Sequence, residues 1–351
     1  MKYHEVSGSF YKLGFEIGKT HKELIDYAIR SYATFHAPLS KPGPCKQLTE
    51  MLKIAERFPW AINEMRGIAD GADIPFEKVA FLNFLGFGGL LRPGISSCSN
   101  IVFTDSDRGP LLAGNCDDTP IFHLVSFIPD QGCAYTIVRW AGTLLSWSGM
   151  NQYGLAVSGS SAGSIEETPN GSIVRIGNST LDEVLMRYLV ETIILQEARN
   201  TKEAIEILLR PDMPGRGNHI IVDASGHAVV VEKVRFEHYG TREAQNGWVA
   251  CGNLLLKDIS KYDSSKDKGI ASSISRYKSL DRCGNGPHTF EAAARVLRSH
   301  DGGPSEKGSV CNDGTACSAI FLPAEGKVYF TQRYACQYDF EVYSVPRWRQ
   351  Q

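Results

Sequence analysis

The sequence has no run of eighteen apolar residues, which removes a membrane-spanning helix from the expectations. It has no long basic run either. Lys+Arg number 37 against Asp+Glu 39, a net charge of −2, so neither nucleic acid nor an anionic membrane is the expected partner. No Gly-x-Gly-x-x-Gly stands between a strand pattern and a helix pattern, so a nucleotide cradle has no support. No Cys-x-x-Cys pair occurs among the nine cysteines (45, 98, 116, 133, 251, 283, 311, 317 and 336), and spacing therefore gives no structural zinc. Met1 to Glu5 does not open onto an apolar signal core. The expectation is a cytoplasmic enzyme with free thiols, in which the sequons at Asn170 and Asn178 are chance occurrences. No internal repeat and no low-complexity segment is visible.

What is there is ordinary for a globular chain. Apolar residues make up 42% and charged residues 22% of 351 residues, and the length is enough for one large α/β domain or two small ones. Apolar residues recur at helical steps over 10–36, 46–70 and 76–86. A Gly/Pro/Ser loop follows at 88–97. Strand patterns then cover 99–104, 110–114, 132–139, 143–149 and 154–160. A helical block spans 180–209 with a break near Asn200. Strands are expected at 217–223 and 227–235 around the turn Asp223-Ala224-Ser225-Gly226, and again at 247–252. A helix at 288–299 and a hairpin of 317–322 with 327–332 close the chain. Successive hairpins point to antiparallel sheets rather than βαβ units.

Cys98 differs from the other thiols in its setting. It starts a strand directly after the Gly/Pro/Ser loop, where a thiol can be reached by solvent. Cutting the Ser97–Cys98 bond would place an α-amine on the same residue as the thiol. With ordinary pKa values of about 7.7–8.0 and about 8.5, such an amine can take the thiol proton near neutral pH and later return it. A strand out, a turn at Asp107-Arg108-Gly109 and a strand back would bring Asn115-Cys116-Asp117 beside it, and the Asp117 carboxylate could then orient the amine. Taken alone, Asp117-Asp118 is also an ordinary turn or helix cap.

Several ordered segments resemble one family. Gly8-Ser9-Phe10-Tyr11-Lys12-Leu13-Gly14-Phe15-Glu16-Ile17-Gly18, Cys98-Ser99-Asn100-Ile101, Gly114-Asn115-Cys116-Asp117, Gly149 to Val157, His219 to Gly226 with Glu232, Cys251-Gly252-Asn253, Ser272 to Tyr277 and residues 317–332 occur in its order and spacing. It is the acyl-coenzyme A:6-aminopenicillanic-acid acyltransferase family of N-terminal-nucleophile hydrolases, with bile-salt hydrolase and penicillin V acylase as distant relatives. The resemblance implies an α+β, four-layer αββα sandwich. It implies a helical segment 1–97 that self-cleavage separates from a catalytic segment 98–351 while the two stay together as one domain, an α/β heterodimer from one precursor that could also form a homo-oligomer. It implies Cys98 as nucleophile, acid and base, Asp117 as holder of the amine, Asn253 as oxyanion donor and Arg276 as an electrostatic lock. Asn115, Ser160 and Ser161 are candidates for oxyanion or substrate contacts.

The sequence also departs from the family pattern. Gly114 stands where the bile-salt hydrolases carry arginine, and Ser160-Ser161 stand where an asparagine is usual. A hydroxyl lacks an amide's reach, so the second oxyanion donor is left to a backbone N–H. The expected substrates are a small-molecule acyl donor and acceptor, or an amide, with no bound cofactor beyond an acyl-CoA co-substrate. Acyl transfer is slightly favoured over hydrolysis. Two alternatives stand beside this reading: an uncleaved relative that only binds a small molecule or a partner chain, and a papain-like hydrolase pairing a cysteine with His123, His219 or His288.

Overall fold

The computed structural model describes residues 4–33, 42–86, 97–118, 121–161, 164–167, 173–176, 181–211, 213, 217–234, 237–255, 268–301 and 306–349. The expected loop over 88–96 and both sequons lie outside these residues. No helix among the described residues is long and apolar enough to cross a membrane.

The chain opens with β1 (His4–Gly8) and five helices: α1 (Phe10–Thr20), α2 (Lys22–Ala33), α3 (Pro42–Ala55), α4 (Pro59–Ala72) and α5 (Phe76–Phe81), the last running into a π-helical turn at Leu82–Gly86. Each long helical pattern in the sequence thus divides in two. Pro59 sits in the first turn of α4, where a missing N–H costs nothing, and so marks the second break. Then come β2 (Ser97–Ser106), β3 (Gly109–Asp117), β4 (Phe122–Pro129), β5 (Tyr135–Trp140), β6 (Ser146–Asn151), β7 (Ala156–Ser160), β8 (Ser164–Glu167) and β9 (Ile173–Ile176). Helices α6 (Leu181–Glu197) and α7 (Thr201–Leu208) meet at Asn200. The break has a local cause. The Asn200 side chain accepts from the Glu203 N–H, and the Glu203 carboxylate accepts from the Arg199 N–H, a reciprocal cap. Strands β10 (Gly217–Val222), β11 (Ala228–Val234), β12 (Glu237–Glu243) and β13 (Trp248–Cys251) precede α8 (Lys268–Gly284) and α9 (Phe290–Leu297). Strands β14 (Thr315–Leu322), β15 (Lys327–Gln332) and β16 (Glu341–Ser344) finish the chain.

The strands form an eight-stranded sheet in the order β1-β4-β5-β6-β7-β10-β11-β12, a six-stranded sheet in the order β13-β2-β3-β14-β15-β16, and the small pair β8-β9. Pairing is antiparallel as expected, except that β1 runs parallel to β4. The two large sheets meet face to face through β2, β3, β7 and β10. Helices α1, α6 and α7 lie against the eight-stranded sheet, and α8 and α9 against the six-stranded one. This is the four-layer αββα order that the resemblance implied.

Strand alternation sorts the core into two. Val102, Leu112, Cys116 and Phe321 point between the sheets, whereas Ile101, Phe103, Leu111 and Ile320 pack with Leu280, Ala293 and Leu297 of the helices behind. Strand β4 was not foreseen, because nearly every residue in it is buried and the alternation that marks a strand is lost.

Helices α1 and α4 pack through glycines spaced four apart on each. A Cβ at Gly14, Gly18, Gly67 or Gly71 would stand 2.0–2.3 Å from a carbonyl oxygen of the facing helix. The helices therefore touch backbone to backbone, and the Gly14 and Gly18 of the N-terminal motif have a packing role.

Between α1 and β4, the rings of His21 and His123 lie 4.6 Å apart. Burial, reinforced by His4 and Arg139, lowers His21 to about 4 and holds His123 well below its usual range. Unfolded histidines take up protons near pH 6.5, and these folded ones resist doing so. The stability they contribute is therefore full above pH 6.5 and lost as pH falls toward 4, with a slope of about 1.4 kcal/mol per pH unit for each proton taken up. Urea midpoints at pH 7, 5.5 and 4.5 should fall in that order, and His123→Phe should flatten the decline. Equal slopes in the two chains would remove His123 from this account.

Candidate active site

Cys98 is the first inward-pointing residue of β2. In the β2–β3 hairpin it sits directly opposite Cys116, with Ser97 opposite Asp117 and Ser99 opposite Asn115. Alternation turns Cys98 and Cys116 toward the facing sheet, and Ser97, Ser99, Asn115 and Asp117 toward α8 and α9.

The backbone of Cys98 is held from two sides. Its N–H donates to Asn253 Oδ1 at 2.9 Å, and its carbonyl accepts from Arg276 Nη1 at 2.6 Å. Arg276 also donates to Ser99 Oγ (3.0 Å) and, through Nη2, to the same Asn253 oxygen (2.9 Å). This guanidinium is only 1% exposed, so it lies under the strand and not on a solvated helix face. Asn253 sits just beyond β13, in a turn that Asn218 braces by donating to the carbonyls of Gly252 and Leu254. The Asn253 amide group donates to the Ser161 carbonyl at 2.8 Å, so its oxygen is the part that faces Cys98.

Asp117 is buried on the helix-facing side. It accepts from Ser97 Oγ (2.7 Å), Asn312 Nδ2 (2.8 Å) and Thr315 Oγ1 (2.9 Å). Burial pushes its carboxyl above the usual range, and the Arg276 charge and these hydrogen bonds oppose that shift without cancelling it. The carboxylate thus reaches Ser97, the residue before Cys98.

Two expectations change. The thiol is not solvent-reachable: Cys98 is 3% exposed. A hydrogen bond with Cys116 first, and burial second, raise it well above 9.0. Asn115 does not join the site, since its amide donates to the carbonyls of Leu297 and Val310 behind the sheet. The three histidines weighed for a Cys–His pair also have other partners. His219 Nδ1 lies 3.0 Å from Glu191 Oε1, His288 Nε2 donates to the Gly284 carbonyl, and the His123 ring packs at a tilt against His21.

Cys98 lines a cavity of about 40 Å³ together with Trp140, Trp147, Ser160, Ser161, Glu191 and His219, among others. That is room for a few waters or a small acyl head. Ser160 Oγ accepts from Asn100 Nδ2 at 2.7 Å, and Asn100 Oδ1 accepts from Ser158. Asn100 brings an amide beside the two serines, and its Oδ1 would stand 2.1 Å from any Cβ at position 114. Gly114 and Asn100 are therefore one packing solution, which leaves no space for a larger residue at 114. Glu191 Oε2, His219 Nε2 and Trp147 Nε1 are buried without a hydrogen-bond partner among the described residues. All three residues belong to the cavity wall. The sequence reading missed Asn100, Glu191 and the two tryptophans. Glu191 lies in a buried part of α6 and carries no motif.

The family model described as acyl-coenzyme A:6-aminopenicillanic acid acyl-transferase matches residues 123–333. Among solved structures, an N-acylethanolamine-hydrolyzing acid amidase ortholog from Caenorhabditis elegans is 17% identical, with 71% of this chain and 100% of that chain covered and a TM-score of 0.45. Penicillin V acylase from Agrobacterium tumefaciens is 11% identical over 67% of this chain and 83% of its own, with a TM-score of 0.42. A mutant form of conjugated bile acid hydrolase from Clostridium perfringens is 11% identical over 71% of this chain and 97% of its own, with a TM-score of 0.40. No curated protein sequence matches the chain.

Proposed function

Because the chain belongs to the acyl-coenzyme A:6-aminopenicillanic acid acyl-transferase family, we propose that it is a self-processing N-terminal-nucleophile enzyme. It cleaves or transfers an acyl group at a linear amide or thioester through a thioester on Cys98, with acyl transfer slightly favoured. The observation that carries this reading is the two-sided hold on the Cys98 backbone by Asn253 and Arg276, beside a cavity that the thiol lines.

In the precursor, the Cys98 sulfur adds to the Ser97 carbonyl carbon, and the peptide bond gives way to a thioester. Water then releases Ser97 as a carboxylate and leaves Cys98 with a free amine. Before this step the thiol is held protonated by Cys116 and burial. Afterwards the amine, a few bonds away, accepts the thiol proton. Asn253 Oδ1 keeps hold of that nitrogen, and Asp117 stands at the position vacated by Ser97, where its carboxylate favours the ammonium form. The thiolate attacks the substrate's acyl carbon, the ammonium gives its proton to the leaving nitrogen or sulfur, and a thioester remains. Water or an amine acceptor then takes the acyl group.

The oxyanion develops on the Ser160–Ser161 side, where one N–H of the Asn253 amide is taken by the Ser161 carbonyl and the second is the donor left for it. One such donor contributes about 3 kcal/mol to the transition state. The Arg276 charge offsets Asp117 and the developing oxyanion. Glu191, His219 and Trp147 suit a substrate carrying polar groups near the acyl carbon. Residues 1–97 would remain docked after cleavage.

An intact mass under denaturing conditions tests the reading. We expect two fragments, residues 1–97 and 98–351. A single full-length mass would favour the other reading, an uncleaved relative that binds small molecules in the same cavity.

A further inference from the structure

Three soft or borderline metal ligands meet far from one another in sequence. His300 follows α9, Cys311 lies in the segment leading to β14, and Cys336 lies in the turn after β15. Their donor atoms all lie within 4.8 Å of one another, and the Cys311 and Cys336 sulfurs are 3.4 Å apart. A tetrahedral zinc ion with Zn–S near 2.3 Å and Zn–N near 2.0 Å places its ligand atoms about 3.5–3.8 Å from each other. The three atoms therefore need only small shifts to occupy three corners. His300 and Cys336 are exposed and Cys311 is buried, so an ion has a route in and the fourth corner is open to water.

We propose that His300, Cys311 and Cys336 form a zinc site. Two sulfurs and an imidazole gathered within 4.8 Å of one another suit zinc among the common divalent ions. On binding, the two thiols release their protons to solvent, and the neutral imidazole gives a lone pair.

The site also has a place in the architecture. The Cys311 N–H donates to the Ser299 carbonyl, and the Arg298 side chain donates through Nε to the Ala335 carbonyl, so the three segments are already tied together by hydrogen bonds. Cys311 directly precedes Asn312, and Asn312 and Thr315 supply two of the hydrogen bonds on Asp117. Zinc here clasps the segment that positions Asp117 and takes no part in bond breaking. The site does not depend on the function proposed above.

The test is a metal titration of the full-length chain, stripped with chelator under reducing conditions. We expect one zinc per chain by elemental analysis, in competition with a chromophoric chelator, and thiolate-to-metal charge-transfer absorption when cobalt replaces zinc. Cys336→Ser and His300→Ala should each weaken binding about 100-fold or more, and Cys98→Ala should leave the stoichiometry at one. Failure to bind zinc at micromolar concentration would overturn the proposal. So would a Cys311–Cys336 disulfide in freshly purified protein, zinc binding indifferent to both ligand variants, or zinc lost in Cys98→Ala.

Discussion

A Cys98→Ala chain is expected to fold, to remain uncut and to lose acyl turnover by a factor on the order of 10⁴ to 10⁶, the range seen when a nucleophile is removed from an otherwise intact site. The fold should survive because the groups that hold Cys98 do not use its sulfur. Asn253 takes the backbone N–H, Arg276 takes the carbonyl, and the ladder to Cys116 is main-chain. Alanine removes one sulfur from a packed position, at a cost of about 1 kcal/mol. Cys116→Ala supplies the contrast, because that thiol is equally buried and bonds to Cys98. Removing it takes away the first cause of the raised Cys98 pKa, so processing should persist and should not slow. Denaturing mass spectrometry and an acyl-release assay on the two variants separate the roles. If Cys98→Ala were cut and active, or if Cys116→Ala were the inert chain, the assignment of the nucleophile would be wrong.

The parts of this site that could be read in the sequence share a physical trait: they depend on short chain separations or on turn chemistry. The β2–β3 hairpin follows from Asp107-Arg108-Gly109, and the β10–β11 turn from Asp223 to Gly226, where Asp223 accepts from the Ser225 N–H and Gly226 takes φ +86. The register that sets Asp117 opposite Ser97, next to Cys98, follows from the first of these. Asn253 and Arg276 came only through resemblance. Their own segments are weak signals, and α8 is rich in serine, a poorer helix former. What stayed hidden are residues brought together by the stacking of layers. Asn100 meets Ser160 across the two sheets, and Glu191 reaches His219 over Gly159, where any Cβ would stand 2.2 Å from the carboxylate. No periodicity records such contacts, because each residue in isolation reads as an ordinary strand or helix position.

The second large effect is expected at Glu64→Ala, which should destabilise the protein by about 3–5 kcal/mol and loosen the hold on residues 1–97. Glu64 in α4 is ion-paired with Arg139 of β5, and both are fully buried. The Arg139 guanidinium also lies 4.4 Å over the Phe127 ring. Its Nε and Nη1, and the second Glu64 oxygen, have no hydrogen-bond partner among the described residues. The pair is therefore only partly repaid for leaving water, and its value lies in mutual cancellation. Deleting one member strands a buried charge, whereas replacing both with apolar residues of similar size should cost little. Glu64→Met with Arg139→Leu should accordingly recover most of the loss from Glu64→Ala. The consequence for function comes from where the pair sits. If the chain is cut before Cys98 as proposed, the covalent link between α4 and β5 would be lost, and noncovalent contacts would have to hold the helical segment, among them the β1–β4 ladder, the His21–His123 contact and this ion pair. Urea unfolding of the single and double variants measures the first effect, and gel filtration of the processed protein measures the second. A Glu64→Ala protein that unfolds within about 1 kcal/mol of the parent and keeps both segments together would show that the pair contributes neither stability nor docking.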